Sequence, residues 1–272
     1  MNGMSRRPES KLDTKKRYLQ VALNSTLEEA ERVIAALPRN DRIIIEAGTP
    51  LIKAYGIEGV RRVKDRWQWH LAGTIPATAR HIEKVSLGDV LRLMFSGALR
   101  PEVQSQNAPP VTNAVPYVIA DLKMMDRGAT EADIAAQGGA DAAVALGSAP
   151  IESLNAFIAS CGRLGIDAMV DMMNVEYPLA VLRKLKKLPK VVILHRGVDE
   201  ERDNKEKQIP YHEIKRIKGA YDIMIAVAGG DTPREVLRTF FNDADIAIVW
   251  KPFYQSTGDT AQLAKEFLKN VR

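Results

Sequence analysis

The chain has 272 residues, 46% of them hydrophobic, and a formal net charge of +5; that is enough for one large core of barrel or doubly wound type. A lone cysteine, Cys161, excludes an internal disulfide and fits a reducing cytoplasm, no apolar run is long enough to cross a bilayer, and the polar basic start lacks the apolar core of a secretion signal. The basic clusters, one at Arg6, Arg7, Lys15, Lys16 and Arg17 and one from Arg183 to Lys190, carry no interleaved aromatics, which argues against nucleic acid and leaves anionic small molecules as partners.

Residues 1–17 read as a loose polar, basic extension. Tyr18 to Leu23 is then a first strand, followed by Asn24 and a helix from Leu27 to Leu37 capped by Ser25-Thr26, with Glu28 and Glu29 favourably placed in its first turn. Arg42 to Ala47 is a second strand with Glu46 near its end, and Gly48-Thr49-Pro50 opens a helix to about Asp65. A third strand, Tyr117 to Ala120, precedes a helix near Thr130 to Gly138. Strands follow at Ala142 to Leu146, Asp167 to Val170, Val191 to Leu194, Asp222 to Val227 and Ala244 to Val249. The helices between and after them are expected at Pro150 to Leu164, Pro178 to Lys187, Tyr211 to Lys218, Pro233 to Phe241 and Thr260 to Val271. The polar stretch Arg196 to Gln208 reads as a loop.

The strands are short apolar runs, as expected where both faces are covered. Eight strand–helix units predict an α/β fold, a (β/α)8 TIM barrel over residues 18–272, and the polar residues recur at strand C-terminal ends, where such barrels build their sites. The doubly wound alternative lacks a G-x-G-x-x-G after the first strand. Residues 66–114 interrupt the rhythm as a ~50-residue insertion between the second helix and third strand, a length that is uncommon for a plain connection. Joining a helix to a strand, it is expected at the bottom of the barrel, as an oligomer contact rather than a lid.

The third strand ends in Asp121, Lys123 and Asp126, with Gly128 closing the turn. Two carboxylates and an ammonium at the mouth of a buried strand are costly to desolvate unless they pair as a structural cap or hold a ligand. Glu46 and Asp121 end adjacent strands, and two converging carboxylates with room for water suit Mg2+. His195 is either a proton shuttle or a capping histidine; Asp171 binds a hydroxyl or caps its loop. His70, His81 and His212 show no metal-ligand spacing and read as surface residues. Gly229-Gly230, ahead of Asp231-Thr232-Pro233, form either a plain turn or an anion cradle of backbone N–H groups with a helix N-terminus behind it, and Lys251 would supply countercharge.

The D-L-K-M-M-D run (Asp121, Lys123, Asp126) matches the D-x-K-x-x-D motif of the orotidine monophosphate decarboxylase superfamily. With L-Q-V-A-L at 19–23, I-E-A-G-T-P-L-I-K at 45–53 and L-H-R-G-V-D at 194–199, the chain resembles the branch of 3-hexulose-6-phosphate synthases and 3-keto-L-gulonate-6-phosphate decarboxylases, over residues 18–65 and 115–272. The resemblance implies a homodimeric barrel in which Glu46 and Asp121 bind Mg2+, or Mn2+ in its place, and a cis-enediolate is made from a sugar phosphate. Lys123 would stabilise the oxyanion, His195 would move protons, and Asp126 would reach into the neighbouring subunit's site. Asp171, Val198 and Ala228 look like the synthase pattern, where the decarboxylase carries glutamate, arginine and threonine. The implied reaction is aldol addition of formaldehyde to ribulose 5-phosphate, or its reverse. The alternatives are a decarboxylase-like or related lyase with altered substrate, and a non-catalytic barrel acting as a binding or assembly subunit.

Two positions depart from the family pattern. Asn24 stands where the family has an aspartate, keeping an acceptor but losing the charge. Trp250-Lys251 replace a glycine-arginine pair, so a bidentate fork is lost and an indole enters at the end of the eighth strand. These departures lead us to expect a retained metal and enediolate centre with an altered grip on the substrate or an altered substrate.

Overall fold

The computed structural model describes residues 9–73, 114–204, 206–230, 232–250 and 260–271. Eight parallel strands, β1 (Tyr18–Leu23), β2 (Ile43–Ala47), β3 (Val118–Met124), β4 (Ala142–Leu146), β5 (Asp167–Asp171), β6 (Val191–His195), β7 (Met224–Ala228) and β8 (Ile246–Val249), close in sequence order, with β8 returning to β1. The surrounding helices are α1 (Leu27–Ala36), α2 (Thr49–Ala72), α3 (Gly128–Gln137), α4 (Ile151–Leu164), α5 (Pro178–Leu182), α6 (Val198–Asp203), α7 (His212–Ala220), α8 (Pro233–Phe241) and α9 (Thr260–Asn270). This is the predicted (β/α)8 barrel. None of the described helices is long and apolar enough to cross a membrane.

Strand periodicity divides the core in two. On β1, Leu19, Val21 and Leu23 face the helices, while Tyr18 and Ala22 join Ile44, Ile119, Val144, Met169, Ile193, Met224 and Ile246 inside the barrel. Each fully buried aliphatic side chain contributes roughly 2 kcal/mol through removal from water. The same alternation assigns interior positions to Gln20, Glu46, Asp121, Asp171 and His195, so polar groups are concentrated in the barrel's C-terminal half.

The N-terminal extension is not loose over its described part. Leu12 is buried with the barrel-interior cluster, and Oδ2 of Asp167 accepts from Ser10 Oγ (2.7 Å), Lys11 N (3.0 Å) and Tyr117 Oη (2.8 Å). Arg17 adds ion pairs to Asp243 (2.7 Å) and Asp245 (3.3 Å). Residues 10–17 thus close the N-terminal mouth of the barrel.

The second helix also outruns its expected end. It bends at Gly56 (φ 60°, ψ −145°), continues through residues assigned above to the insertion, and stops at Gly73 (φ 76°). Trp67 explains the extension, since it is fully buried and stacks on His70 at 5.5 Å between ring centroids. His70, expected at the surface, is half-buried with Nε2 2.8 Å from the Leu37 carbonyl oxygen. His212 is exposed, as expected, and His81 lies outside the described residues, as does the span 74–113 between α2 and β3 where the insertion was expected. Where the chain returns, Lys64 donates to the Pro116 carbonyl (2.9 Å) and to Asp141, whose Oδ2 accepts from Val118 N (2.9 Å), which fixes the start of β3.

Two further boundaries differ from expectation. The helix after β5 ends at Leu182 rather than Lys187. The stretch after β6 holds α6, whose entry is fixed by Gly197 N donating to Glu200 Oε2 (2.9 Å); a charged six-residue segment has no apolar period to announce a helix.

Candidate active site

The third strand does not stop at Ala120. It runs to Met124, with a register shift against β4 between Ala120 and Met124 and Lys123 held at φ 48°. A lysine adopts this left-handed conformation only when its surroundings fix it, and bulges of this kind re-aim side chains beside functional sites. Here the result is that Lys123 Nζ lies between Asp121 Oδ2 (2.8 Å) and Asp171 Oδ2 (2.9 Å), bridging β3 and β5. Burial alone would lower the lysine's pKa, but Asp121, Asp171 and Glu46 outweigh it and hold the ammonium above its ordinary range.

Asp171 closes β5, fully buried. Its Oδ2 also meets His195 Nδ1 at 2.7 Å, and its Oδ1 accepts from Met173 N at 2.9 Å. Burial pushes this carboxyl up, yet the charges of His195 and Lys123 and their hydrogen bonds carry it well below the usual carboxylate range. For His195 burial works downward and Asp171 more than reverses it, so the imidazole is held above its ordinary value. With Asp171 ionised, Nδ1 carries the hydrogen and Nε2 is left to exchange protons.

Glu46 lies inside the barrel on the neighbouring strand β2, accepting from Gln20 Nε2. Burial first and the Asp121 charge second push its carboxyl up to about 7, against the opposing pull of Lys123, the Gln20 hydrogen bond and His195. Thr49 Oγ1, at the start of α2, is 3.0 Å from Asp121 Oδ2 and 2.9 Å from the Asp121 carbonyl. The other carboxylate oxygen, Asp121 Oδ1, is buried without a hydrogen-bond partner among the described residues. A buried carboxylate oxygen in that state is costly unless something else meets it. Three carboxylates, Glu46, Asp121 and Asp171, thus face Lys123 and His195, a balance that a divalent cation between Glu46 and Asp121 fits. Among the described residues no three His, Cys, Asp or Glu side chains form a ligand set; two carboxylates are what Mg2+ needs, since it keeps several waters.

Gly229 and Gly230 follow β7. Gly229 is at φ 96°, and a Cβ there would lie 2.4 Å from the Arg196 carbonyl oxygen, so only glycine serves. The N-terminus of α8 behind them is already used: Glu235 N donates to Thr232 Oγ1 (3.2 Å), while Thr232 N and Oγ1 donate to Glu235 Oε2 (3.2 and 2.9 Å). Asn24, just past β1, has its amide oxygen so close to Gly48 that a Cβ there would meet it at 1.8 Å. Trp250 is half-buried and packs on the barrel-interior cluster. Asp126 stands apart from the buried cluster, exposed, accepting from Ser153 Oγ at 3.3 Å. Lys251 lies outside the described residues.

Three contributors were not singled out by sequence. Gln20 was visible as a polar residue at an interior-parity position of an apolar strand. Thr49 was masked by its role in opening a helix, and Arg196 by its place in a polar loop. Arg196 Nη2 donates to the Gly229 carbonyl at 2.7 Å.

A family model described as orotidine 5'-phosphate decarboxylase / HUMPS family matches residues 115–267. The protein called bifunctional enzyme Fae/Hps in Methanocella arvoryzae is 33% identical over 236 residues, 85% of this chain and 48% of that protein. Its counterpart in Methanosphaera stadtmanae is 33% identical over 258 residues, 93% of this chain and 52% of its own length. The chain therefore spans about half the length of the curated relatives it matches. The crystal structure of 3-hexulose-6-phosphate synthase from Salmonella typhimurium aligns with a TM-score of 0.68 at 22% identity, over 93% of this chain and 99% of that one, a likeness of fold.

Proposed function

The chain belongs to the orotidine 5'-phosphate decarboxylase / HUMPS family, and from that premise we propose that it is a carbon–carbon lyase of the 3-hexulose-6-phosphate synthase type, adding formaldehyde to ribulose 5-phosphate or cleaving the product in reverse. The observation that carries this reading is Lys123 Nζ, held between Asp121 and Asp171 with His195 on the same Asp171 oxygen. An ammonium paired with two carboxylates beside an oriented imidazole is what enolisation next to a ketone requires: a cation for the developing oxyanion and a group to carry the proton.

In the synthetic direction, C1 of the ketose loses a proton and the electron pair moves onto the C2 oxygen. Lys123 stabilises that charge without giving up its proton. C1 then attacks the carbon of formaldehyde, and the resulting alkoxide takes a proton. His195 exchanges these protons through Nε2, its ring fixed by the Nδ1 contact with Asp171. Glu46 and Asp121 would hold a divalent cation, Mg2+ or Mn2+, which when bound supplies further positive charge for the substrate oxygens. The Gly229–Gly230 peptide offers its backbone N–H to the phosphate, and Asn24 offers an amide to a hydroxyl. The protein would act as a homodimer, with the exposed Asp126 reaching a second copy's site.

Carbon-13 NMR of labelled formaldehyde with ribulose 5-phosphate, Mg2+ and the protein tests the reading. A hexulose phosphate signal, absent with chelator and with Asp121→Asn, is expected. Stoichiometric binding of the sugar phosphate without turnover would instead favour a binding subunit. Light scattering at micromolar concentration checks the dimer.

A further inference from the structure

We propose that Arg196 is a positioning residue for the substrate's phosphate, setting the orientation of the Gly229–Gly230 peptide; this rests on the sugar-phosphate reading above. Arg196 surrounds Gly229 on three sides. Its N–H donates to the Ala228 carbonyl at 3.1 Å, its own carbonyl oxygen lies 2.4 Å from where a Gly229 Cβ would be, and Nη2 donates to the Gly229 carbonyl at 2.7 Å. The bonded carbonyl belongs to the Gly229–Gly230 peptide. In a planar trans peptide the C=O and N–H point in opposite directions, so the bond to Arg196 fixes the Gly230 N–H away from the guanidinium. The Ala228 carbonyl faces β6, so the Gly229 N–H points to β8, where Ala228 is paired with Ile248; the Gly230 N–H, for which the loop bonds of the described residues show no acceptor, is left for an anion.

The neighbouring charges give the arginine a second effect on the same peptide. The N-terminus of α8 is taken by Glu235, a carboxylate that opposes phosphate binding. Arg196 Nη2 stands 3.9 Å from Glu235 Oε1 and 3.7 Å from Glu201 Oε1, and its side chain is only 13% exposed. The guanidinium thus offsets both carboxylates while its hydrogen bond orients the glycines, and Nε remains buried without a partner among the described residues. Because its charge is met by these two carboxylates, Arg196 acts on phosphate through the peptide it holds.

The test compares the wild-type protein with Arg196→Met and Arg196→Lys. Two readouts are taken: the amide resonance of Gly230 during titration with inorganic phosphate, and KM and kcat for ribulose 5-phosphate with formaldehyde. In the wild type that amide is expected to shift with phosphate. Losing one hydrogen bond to a charged donor corresponds to about a tenfold change in affinity. Arg196→Met should therefore weaken phosphate binding and raise KM about tenfold while kcat stays within about threefold, and Arg196→Lys, which keeps one donor and the charge, should recover most of the loss. Unchanged phosphate affinity and KM in Arg196→Met, or a wild-type Gly230 amide that ignores phosphate, would overturn the inference. A Gly230 amide that responds to phosphate and loses that response in Arg196→Met, in a protein that does not turn over ribulose 5-phosphate, would uphold it while removing the proposed reaction.

Discussion

His195 and Asp171 form a pair across the C-terminal ends of β6 and β5, with Nδ1 2.7 Å from Oδ2, and the same oxygen is 2.9 Å from Lys123 Nζ. One carboxylate thereby fixes both the imidazole and the ammonium of the site. Replacing it with an amide keeps the volume but removes the charge that raises His195. Asp171→Asn is expected to fold, as judged by circular dichroism, and to lose activity by about a hundredfold or more. The limb of its pH–rate profile that belongs to His195 should move to lower pH, because the Asp171 charge is what holds that imidazole up. An unmoved limb would show that His195 titrates independently of Asp171.

Glu46 gives a prediction about stability. Its carboxyl is pushed up to about 7 in the folded protein by burial and by Asp121. For a raised acid, the stabilisation is fully present below the ordinary glutamate value of 4.5 and is lost as pH rises through about 7. In metal-free protein, Glu46→Gln should therefore be more stable than wild type at pH 8, by roughly 3 kcal/mol at most, with the difference closing toward pH 5. Saturating Mg2+ should reverse the order at pH 8, because only the wild type gains from binding the cation. Thermal melts at both pH values, with chelator and with Mg2+, measure this.

The barrel and the buried cluster were legible because strand ends carry period-2 information. An apolar run terminated by Glu46, Asp121, Asp171 or His195 can place that group only at the mouth or on the inner wall of a closed sheet. Long-range consequences of backbone irregularity were not legible. The bulge that extends β3 to Met124 and turns Lys123 to φ 48° depends on pairing with β4, and Arg196 acquires its partner only when β6 and β7 lie side by side. Helix ends were misread where tertiary burial extends a segment. Trp67 and Leu71 anchor α2 beyond Asp65, although residues 66–72 were assigned to the insertion.

Trp67 measures how much that added helical segment contributes. It is fully buried, stacked on His70, and its indole N–H has no partner among the described residues. Trp67→Ala should cost about 3–5 kcal/mol through lost burial and the cavity left behind. Trp67→Phe should cost less, since it retains the ring and removes a buried unpaired donor. Urea unfolding of the three proteins gives the comparison, and a cost for the alanine below about 1 kcal/mol would mean the segment contributes little to the folded state.

The N-terminal plug separates stability from catalysis. Leu12 joins the interior cluster, and Ser10 and Lys11 both donate to Asp167 at the mouth opposite the polar cluster. Removing residues 1–12 exposes that mouth to water, deletes one buried leucine and leaves Asp167 with Tyr117 as its remaining donor on that oxygen. Burial of the leucine and the two hydrogen bonds together correspond to about 3–4 kcal/mol. In a chain of this length that lowers Tm by roughly 5–10 °C. The machinery around Lys123 is built from the other ends of the strands, so kcat at 25 °C should stay within about twofold of the intact chain. Leu12→Ala should show over half of the stability loss with the chain otherwise complete. A truncated protein that melts within a degree of the intact one would show that the plug packs without stabilising the barrel, whereas a large fall in kcat at unchanged Tm would mean that closing the bottom mouth matters for the chemistry at the top.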